Sequence, residues 1–231
     1  MRRGMIAALA FGGGVLTLLL IIVSYLRAPP STPTVVPQPP PATLGGPAPA
    51  LAASYRAAQM DPGLSDEAKV WVAVDTYFLL KYESRVRDQA LDLGVVVDRT
   101  GPKGRTLHNY ELGRLQYSLL WWRLDGLTFV AYDYRPSHGA ITVSGDTAMA
   151  DIRPIADTRV ELDGYTRTDT VGEVPHVLRA VRSAEGWRLT QDDYDDEMRQ
   201  LYPVGTDWAR LIAAAPPTGG GEPAATDGPA R

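Results

Sequence analysis

The fold is decided by residues 65–82, SDEAKVWVAVDTYFLLKY, which have the pattern of an amphipathic helix. Ser65 is a favourable N-cap, and Asp66 and Glu67 place negative charge in the first turn, where the helix dipole favours it. Apolar residues then recur every three or four positions, at Val70, Trp71, Val74, Tyr77, Phe78 and Tyr82. This spacing predicts a helix that runs to about Leu91 and buries one face.

A second helix is predicted from about Thr106 to Leu124, after a loop at 101–104. Downstream of Gly126 the pattern changes to alternation, which is typical of half-buried strands. Six strands are predicted, at 127–132, 141–143, 148–152, 158–162, 176–182 and 187–191. In the last of these, Trp187 and Leu189 should face the core. The acids at 195–197 then predict the cap of a short helix that ends at Tyr202.

This order of elements predicts an α+β domain in which a curved antiparallel sheet wraps around N-terminal helices. The chain has no cysteine, which excludes disulfides, thiolate zinc sites and cysteine nucleophiles. Residues 64–203 contain 17 lysine and arginine residues against 23 aspartate and glutamate residues, a net charge of −6. Because nucleic-acid binding needs a basic surface, we expect no nucleic-acid partner.

An uncharged stretch at residues 5–26 predicts one transmembrane helix. As a helix it would be roughly 33 Å long, and a bilayer's hydrocarbon core is roughly 30 Å thick. Arg2 and Arg3 precede it, so the positive-inside rule places the amino end in the cytoplasm. The stretch exceeds the roughly 7 to 15 apolar residues of a cleaved signal peptide. We therefore predict a single-pass protein of the cell membrane, with its carboxy-terminal domain outside the cytoplasm.

The sequence accordingly divides into five segments. Residues 28–50 contain nine prolines, which favour an extended stalk. Beyond Pro216, glycine, proline, alanine and threonine predominate and predict disorder. The segments are a cytoplasmic N-terminus (1–4), the transmembrane helix (5–26), a Pro/Ala-rich extracytoplasmic linker (27–63), the folded domain (64–210) and a disordered tail (211–231).

Several short motifs together resemble a known bacterial class. These are Arg114-Leu115-Gln116-Tyr117, Gly145-Asp146-Thr147-Ala148, His176 at a strand start, Gly186-Trp187 and Asp192-x-Tyr194-Asp195-Asp196. Over about residues 66–200 the chain is similar to the exported NTF2-like (cystatin-like) region that precedes the amidase domain in bacterial amidase-domain proteins. The resemblance implies a cone-shaped NTF2-like fold. The amidase activity does not carry over, because that domain uses a cysteine and this chain has none.

Candidate chemistry is sparse. Five acids, Asp192, Asp193, Asp195, Asp196 and Glu197, raise a calcium hypothesis, but helix capping explains three of them and the spacing is not that of an EF-hand. The three histidines, His108, His138 and His176, share no metal-ligand spacing, and no nucleophile elbow accompanies Ser137 or Ser144. We predict no catalytic residue, metal site or cofactor.

The aromatic residues Tyr77, Trp121, Trp122, Tyr132 and Trp187 have two readings. They either build the core, which we favour, or line the mouth of the cone as a ligand pocket, with Tyr77, Trp122, Tyr132 and Trp187 as the candidate residues. An isomerase-type site would need a carboxylate among them, for which Asp75 or Asp133 could serve.

These observations favour a non-catalytic interaction or scaffold module of the bacterial envelope, with the membrane and an envelope protein as partners. Two alternatives stay open. One is a channel component similar to the VirB8-like proteins of type IV secretion, which also place one span before an exported NTF2-like domain. The other is a small-molecule-binding or isomerase-type NTF2-like protein, which a deep pocket containing a buried carboxylate would favour.

Overall fold

The computed structural model describes residues 48–172 and 174–215. The predicted cytoplasmic N-terminus (1–4), the predicted span (5–26), most of the predicted linker and the tail from residue 216 lie outside these ranges. Among the described residues, no helix combines the length and the apolar character that crossing a membrane requires.

The described residues form an α+β structure, which confirms the class predicted from the sequence. The helices are α1 Ala48–Met60, α2 Asp66–Val86, α3 Pro102–Leu124, α4 Glu197–Leu201 and α5 Trp208–Ala213, with a 3₁₀ turn at Leu93–Val95. The strands are β1 Thr128–Tyr134, β2 Ser137–Ser144, β3 Thr147–Arg153, β4 Ile155–Leu162, β5 Tyr165–Gly172, β6 His176–Ser183 and β7 Gly186–Asp193.

The strands form two antiparallel sheets, ordered β1-β4-β5 and β2-β3-β6-β7. Three successive crossings between the sheets contain a proline: Pro136 between β1 and β2, Pro154 between β3 and β4, and Pro175 between β5 and β6. Tyr134 pairs with Ala156 on one side of the break and Ser137 with Arg153 on the other, so the prolines lie near one line. Because proline has no N–H to donate, this line of prolines interrupts the hydrogen bonding between strands and separates the two sheets.

Strand β5 and most of β2 were missed by the sequence prediction. β5 reads Tyr-Thr-Arg-Thr-Asp-Thr-Val-Gly, and its first four residues are exposed on both faces. Alternation marks a strand only where one face is buried, so this strand gives no such signal. The remaining predicted strands correspond to β1, β3, β4, β6 and β7.

The predicted helix ends are corrected at two places. α2 ends at Val86, not near Leu91, because Asp88 adopts a left-handed conformation (φ 51°) and the Ser84 hydroxyl accepts a hydrogen bond from the Leu91 backbone N–H. α3 begins at Pro102, within the predicted loop. Proline suits the first helical position, where its missing N–H has no intrahelical partner. The predicted caps are confirmed: Ser65 and Asp196 each accept a backbone N–H of the next turn.

Segments on either side of residues 64–210 pack against the predicted domain. Helix α1 lies in the predicted linker, yet its Tyr55 is only 1% exposed and donates a hydrogen bond to the Trp187 carbonyl (2.6 Å). Gln59, also on α1, accepts from the Trp187 N–H (2.8 Å). At the other end, Leu211 and Ile212 of α5 pack against the buried cluster of Tyr110, Tyr117 and Trp208. Tertiary packing therefore orders alanine-rich and short segments whose sequences alone predict little structure.

Helix α2 is the centre of the core and contacts strands of both sheets. Its inward face carries Val74, Tyr77 and Phe78, all fully buried. Trp187 and Leu189 of β7 point inward as predicted, with exposures of 1% and 0%. A second, smaller aromatic cluster lies on the outer side of α3, where Tyr110, Tyr117 and Trp208 pack together.

Candidate functional site

A buried ion pair joins the two long helices. Lys81 of α2 and Glu111 of α3 lie 3.1 Å apart, with side chains 7% and 1% exposed. The second carboxylate oxygen of Glu111 accepts a hydrogen bond from the Tyr194 hydroxyl (2.5 Å). The Lys81 ammonium also lies over the rings of Tyr77 and Phe78, at 5.0 and 5.4 Å from their centroids. Removing these charges from water is expensive, so both depend on their partners.

A second buried carboxylate, Asp192 of β7, is equally well paired. One of its oxygens accepts from the Tyr77 hydroxyl (3.0 Å), and the other lies 2.7 Å from Nδ1 of His176. Asp192 is 1% exposed and His176 2%. His176, the first residue of β6, pairs with Ile152 of β3 and packs edge-on against Phe78, with ring centroids 5.0 Å apart. This histidine at a strand start is therefore part of the core, where it orients the carboxylate.

Arginines close the network towards the surface. Arg114 of α3 donates hydrogen bonds to the Tyr194 hydroxyl and to the carboxylate of Asp196, the N-cap of α4. Arg199 donates to the Asp192 carbonyl (2.8 Å) and stacks on the Tyr194 ring at 4.4 Å. Five of the residues that carry the sequence resemblance lie in this network, namely Arg114, His176, Asp192, Tyr194 and Asp196. The motifs at 145–148 and 186–187 lie outside it.

The electrostatics show which charge states the network holds. Burial would raise the pKa of Glu111, but Lys81, Arg114 and the Tyr194 hydroxyl together hold it below its usual range. Burial, reinforced by the charge of Glu111, raises the pKa of the Tyr194 hydroxyl. The pKa of Tyr77 is raised well above its usual value by the same two causes. Glu111 is consequently an anion and both tyrosines are neutral donors at neutral pH.

A cavity of about 340 Å³ lies beside this network, between α3 and β7. Glu111 and Asp192 form part of its wall, together with Thr106, Tyr110 and Arg199. Both oxygens of Asp192 are nonetheless paired with protein groups, whereas Glu111 accepts one hydrogen bond, from Tyr194, and its other oxygen has only the Lys81 ammonium as an ionic partner. The cavity could therefore hold a small molecule, but the two carboxylates in its wall, Glu111 and Asp192, already have partners within the protein.

The four residues proposed for a ligand pocket are not brought together. Tyr77, Tyr132 and Trp187 are buried at three different places in the core, with Tyr132 donating to Glu83 (3.3 Å) and Trp187 donating through Nε1 to Asp66 (3.1 Å). Trp122 is half-buried against Phe129, with ring centroids 4.8 Å apart, and borders a surface cleft. Three of these aromatic residues therefore build the core, as the favoured reading predicted.

The carboxylates proposed for an isomerase-type site lie apart from that set. Asp75 accepts from the Tyr134 hydroxyl (3.1 Å) and lies 2.9 Å from Nε2 of His138, whose ring stacks on Trp71 at 4.1 Å. Asp133 is half exposed and faces Arg135. The third histidine, His108, is buried against Asp92 at 2.8 Å. Each of these side chains has a local protein partner.

The acidic run considered for calcium is dispersed by the fold. Asp192 points into the core, while Asp196 caps α4. Asp193 faces Gln191 and Asp195 faces Gln200. Within residues 48–172 and 174–215, no group of three or more His, Cys, Asp or Glu side chains is arranged to hold a metal ion.

An aromatic groove of about 460 Å³ is open on the surface between α3 and α4. Trp121 and Leu201 stand at its edges, 39% and 73% exposed. The other residues of this aromatic groove are Tyr117, Ser118, Trp122, Glu197, Met198 and Tyr202. Tryptophan, tyrosine and methionine are the residues that protein interfaces favour.

No family model matches the sequence, and no curated protein matches it. The crystal structure of the intermembrane space region of the chloroplast protein ARC6 is 16% identical, covering 57% of this chain and 97% of that chain, with a TM-score of 0.35. The crystal structure of the Kfla4162 protein from Kribbella flavida is 22% identical, covering 38% of this chain and 62% of that one, with a TM-score of 0.25. The chain thus spans less than two thirds of Kfla4162, and neither similarity identifies a fold family or a function.

Sequence reasoning missed the Lys81–Glu111 pair, although a signal was present. Lys81 lies four residues after Tyr77 and three after Phe78, within the apolar stripe of α2. Glu111 lies midway between Leu107 and Leu115, which also share one face of α3. A lysine on one buried stripe and a glutamate on another predict that the two stripes meet, since neither charge is tolerated alone.

Proposed function

We propose that the protein is a non-catalytic interaction module of the bacterial cell envelope, held at the membrane by residues 5–26 and built on an NTF2-like cone. The aromatic groove supports this proposal most directly. It offers a large exposed tryptophan and a leucine beside a tyrosine-lined floor, an arrangement typical of interaction hot spots. The antiparallel strands around α2 and the uncharged stretch at 5–26 are consistent with the proposed fold and topology.

The buried polar groups support a non-catalytic role. A general acid or base needs a titratable atom that can reach a substrate. Glu111 and Asp192 instead direct both oxygens at protein partners within the core. Their arrangement is that of a network that fixes the positions of α2, α3 and β7, and hence of the aromatic groove on the outer side of α3.

The partner expected in this groove is an apolar segment of another envelope protein that carries a basic residue. Glu197 borders the groove, and the domain's net charge of −6 favours a basic partner. The test places a photo-crosslinking residue at position 201 in the full-length chain, in its own membrane. Position 60, which is exposed to a similar degree (71%) on α1, is the matched control.

We expect a discrete adduct from position 201 that is absent from position 60 and that the additional substitution Trp121→Asp abolishes. Trp121 is partly exposed, so its loss should leave the fold intact. Adducts of equal intensity from both positions, or an adduct indifferent to Trp121→Asp, would overturn the assignment of the groove. The topology is tested separately. A reporter fused after Arg231 should be active only outside the cytoplasm, and recovery of a soluble form beginning near Ala28 would show that 5–26 is a cleaved signal.

A second function, small-molecule binding, is favoured by the cavity beside Glu111 and Asp192. Native mass spectrometry of the full-length protein from its own membrane would reveal a bound molecule of constant mass. Substituting Thr106→Trp fills this cavity and should abolish that mass shift. If the wild type carries no such molecule, the cavity has no resident ligand.

A further inference from the structure

Strand β5 has an open edge. Among the described residues it pairs with β4 alone, whereas β6, the continuation of the same chain, is covered by β7. After Asp193 the chain forms α4 and adds no strand beside β5 in the described residues. The eight-residue edge Tyr165–Gly172 therefore presents unpaired backbone groups, which are a template for another strand.

The hairpin between β4 and β5 defines which backbone groups face outward. Its two loop residues, Asp163 and Gly164, both have positive φ (51° and 78°), as in a type I′ turn, and Leu162 faces Tyr165 across it. Residues flanking such a loop form a hydrogen-bonded pair, and the pattern then alternates along the strand. The N–H and C=O groups of Thr166, Thr168 and Thr170 consequently point away from β4.

These three threonines restrict how a second copy of the strand could pair antiparallel with the first. A residue whose backbone N–H and C=O point away from β4 must pair with a residue of the same kind in the second copy. The two-fold axis of a symmetric register therefore passes either through one threonine or midway between two of them. Centring between Thr166 and Thr168 would place Arg167 against itself, and centring between Thr168 and Thr170 would place Asp169 against itself. Like charges directly opposite each other are destabilising.

Centring on Thr168 gives favourable pairs at every position. Arg167 faces Asp169 of the second copy on both sides of the axis, Thr166 faces Thr170, and Tyr165 faces Val171. The three outward threonines would supply about six inter-strand hydrogen bonds. Tyr165, 80% exposed in the single chain, gains an apolar neighbour.

We propose that two copies of this chain associate through antiparallel pairing of β5 with β5, centred on Thr168, to form one continuous sheet across a two-fold axis. Arg167 and Asp169 already contact each other within the strand (Nε to Oδ2, 2.6 Å), and in the dimer each also meets its opposite charge on the second copy. Edge charges of one sign keep strands apart, but this sequence carries both signs two residues apart and is self-complementary. The inference goes beyond the proposed function, because it concerns a contact other than the aromatic groove.

The absence of cysteine allows a direct test in the full-length chain in its own membrane. In this register the two copies of residue 168 face each other at about 5.5 Å between Cα atoms, within the range of a disulfide. Residue 166 lies about four residues, or roughly 13 Å, from its own copy. Under mild oxidation we therefore expect a cross-linked dimer from T168C, none from T166C or T170C alone, and a dimer when differently tagged T166C and T170C chains are expressed together.

Charge reversal supplies the second measurement. Adding D169R to T168C places arginines opposite each other and should lower the cross-linked fraction roughly tenfold, and R167D/D169R with T168C should restore it. The side chain of Arg167 is 59% exposed and that of Asp169 is 37% exposed, and both lie on an edge strand, so the fold should be unaffected. Absence of a T168C dimer, or equal cross-linking at 166, 168 and 170, would overturn the proposal. Such a result would leave the groove adduct at position 201 unchanged, which keeps the two proposals separable.

Discussion

The Lys81–Glu111 pair allows a sharp test of the buried network. In Lys81→Met, Glu111 loses its ammonium partner but keeps the 2.5 Å hydrogen bond from Tyr194 and the nearby charge of Arg114. In Glu111→Leu, the Lys81 ammonium loses its carboxylate and retains its contacts with the rings of Tyr77 and Tyr194. The Tyr194 hydroxyl loses the carboxylate that accepts its hydrogen bond. Breaking a buried pair costs roughly 3 to 5 kcal/mol. We expect Lys81→Met near the lower and Glu111→Leu near the upper end of that range.

The double variant Lys81→Met/Glu111→Leu separates pairing from packing. It removes both charges and fills their volume with apolar groups, a replacement that is often neutral or stabilising. It should therefore be more stable than either single variant, with a coupling energy of about 5 kcal/mol or more, because the single costs sum to about 8 kcal/mol and the double should cost less than about 3 kcal/mol. The assay is urea unfolding of residues 48–215 at pH 7. If the two single effects add to within about 0.5 kcal/mol, the pair does not interact as described.

The remaining predictions use the same assay. Trp187→Ala should lose about 3 to 5 kcal/mol of stability because the side chain is 1% exposed. Arg188→Ala should lose less, about 1 to 2 kcal/mol, because it removes the 2.9 Å hydrogen bond that this half-buried arginine donates to the Gly94 carbonyl. An unchanged midpoint for Trp187→Ala would reopen this residue as a ligand contact. A fragment beginning at residue 62 should be about 3 to 6 kcal/mol less stable than 48–215, because it lacks buried Tyr55 and the Gln59 hydrogen bonds; equal stability would mean that α1 is dispensable. A Cβ at Gly113 would lie 2.3 Å from Cδ1 of Trp208, so Gly113→Ala should cost about 1 to 3 kcal/mol and Gly172→Ala, with open space around it, much less; similar losses for both would contradict the α3–α5 contact. The pKa of Glu111 is lower in the folded state than in the unfolded chain, so its contribution is present above about pH 4.3 and is lost as the pH falls through the folded value. The wild type should thus lose more stability than the double variant as the pH falls below about 4.3, and parallel pH profiles would exclude this contribution.

Much of the fold could be predicted because its signals are local. The Ser65 cap, the stripe of α2 and the alternation around Trp187 each depend on neighbouring residues, and the structure confirms all three. Strand β5 shows the limit of such signals. Its threonines are exposed, so nothing in their order distinguishes a strand from a loop, and the strand exists because it pairs with β4.

The candidate sites depend on contacts between distant parts of the chain. Arg114 and Tyr194 are 80 residues apart, and Tyr55 and Trp187 are 132 apart, so no spacing rule could join them. The sequence by itself determined the α+β class and the absence of cysteine chemistry, and it predicts a span at residues 5–26. Only the tertiary structure decided that α1 belongs to the core and that Lys81 meets Glu111, since a buried charge is tolerated only where packing of separate elements brings its partner to it.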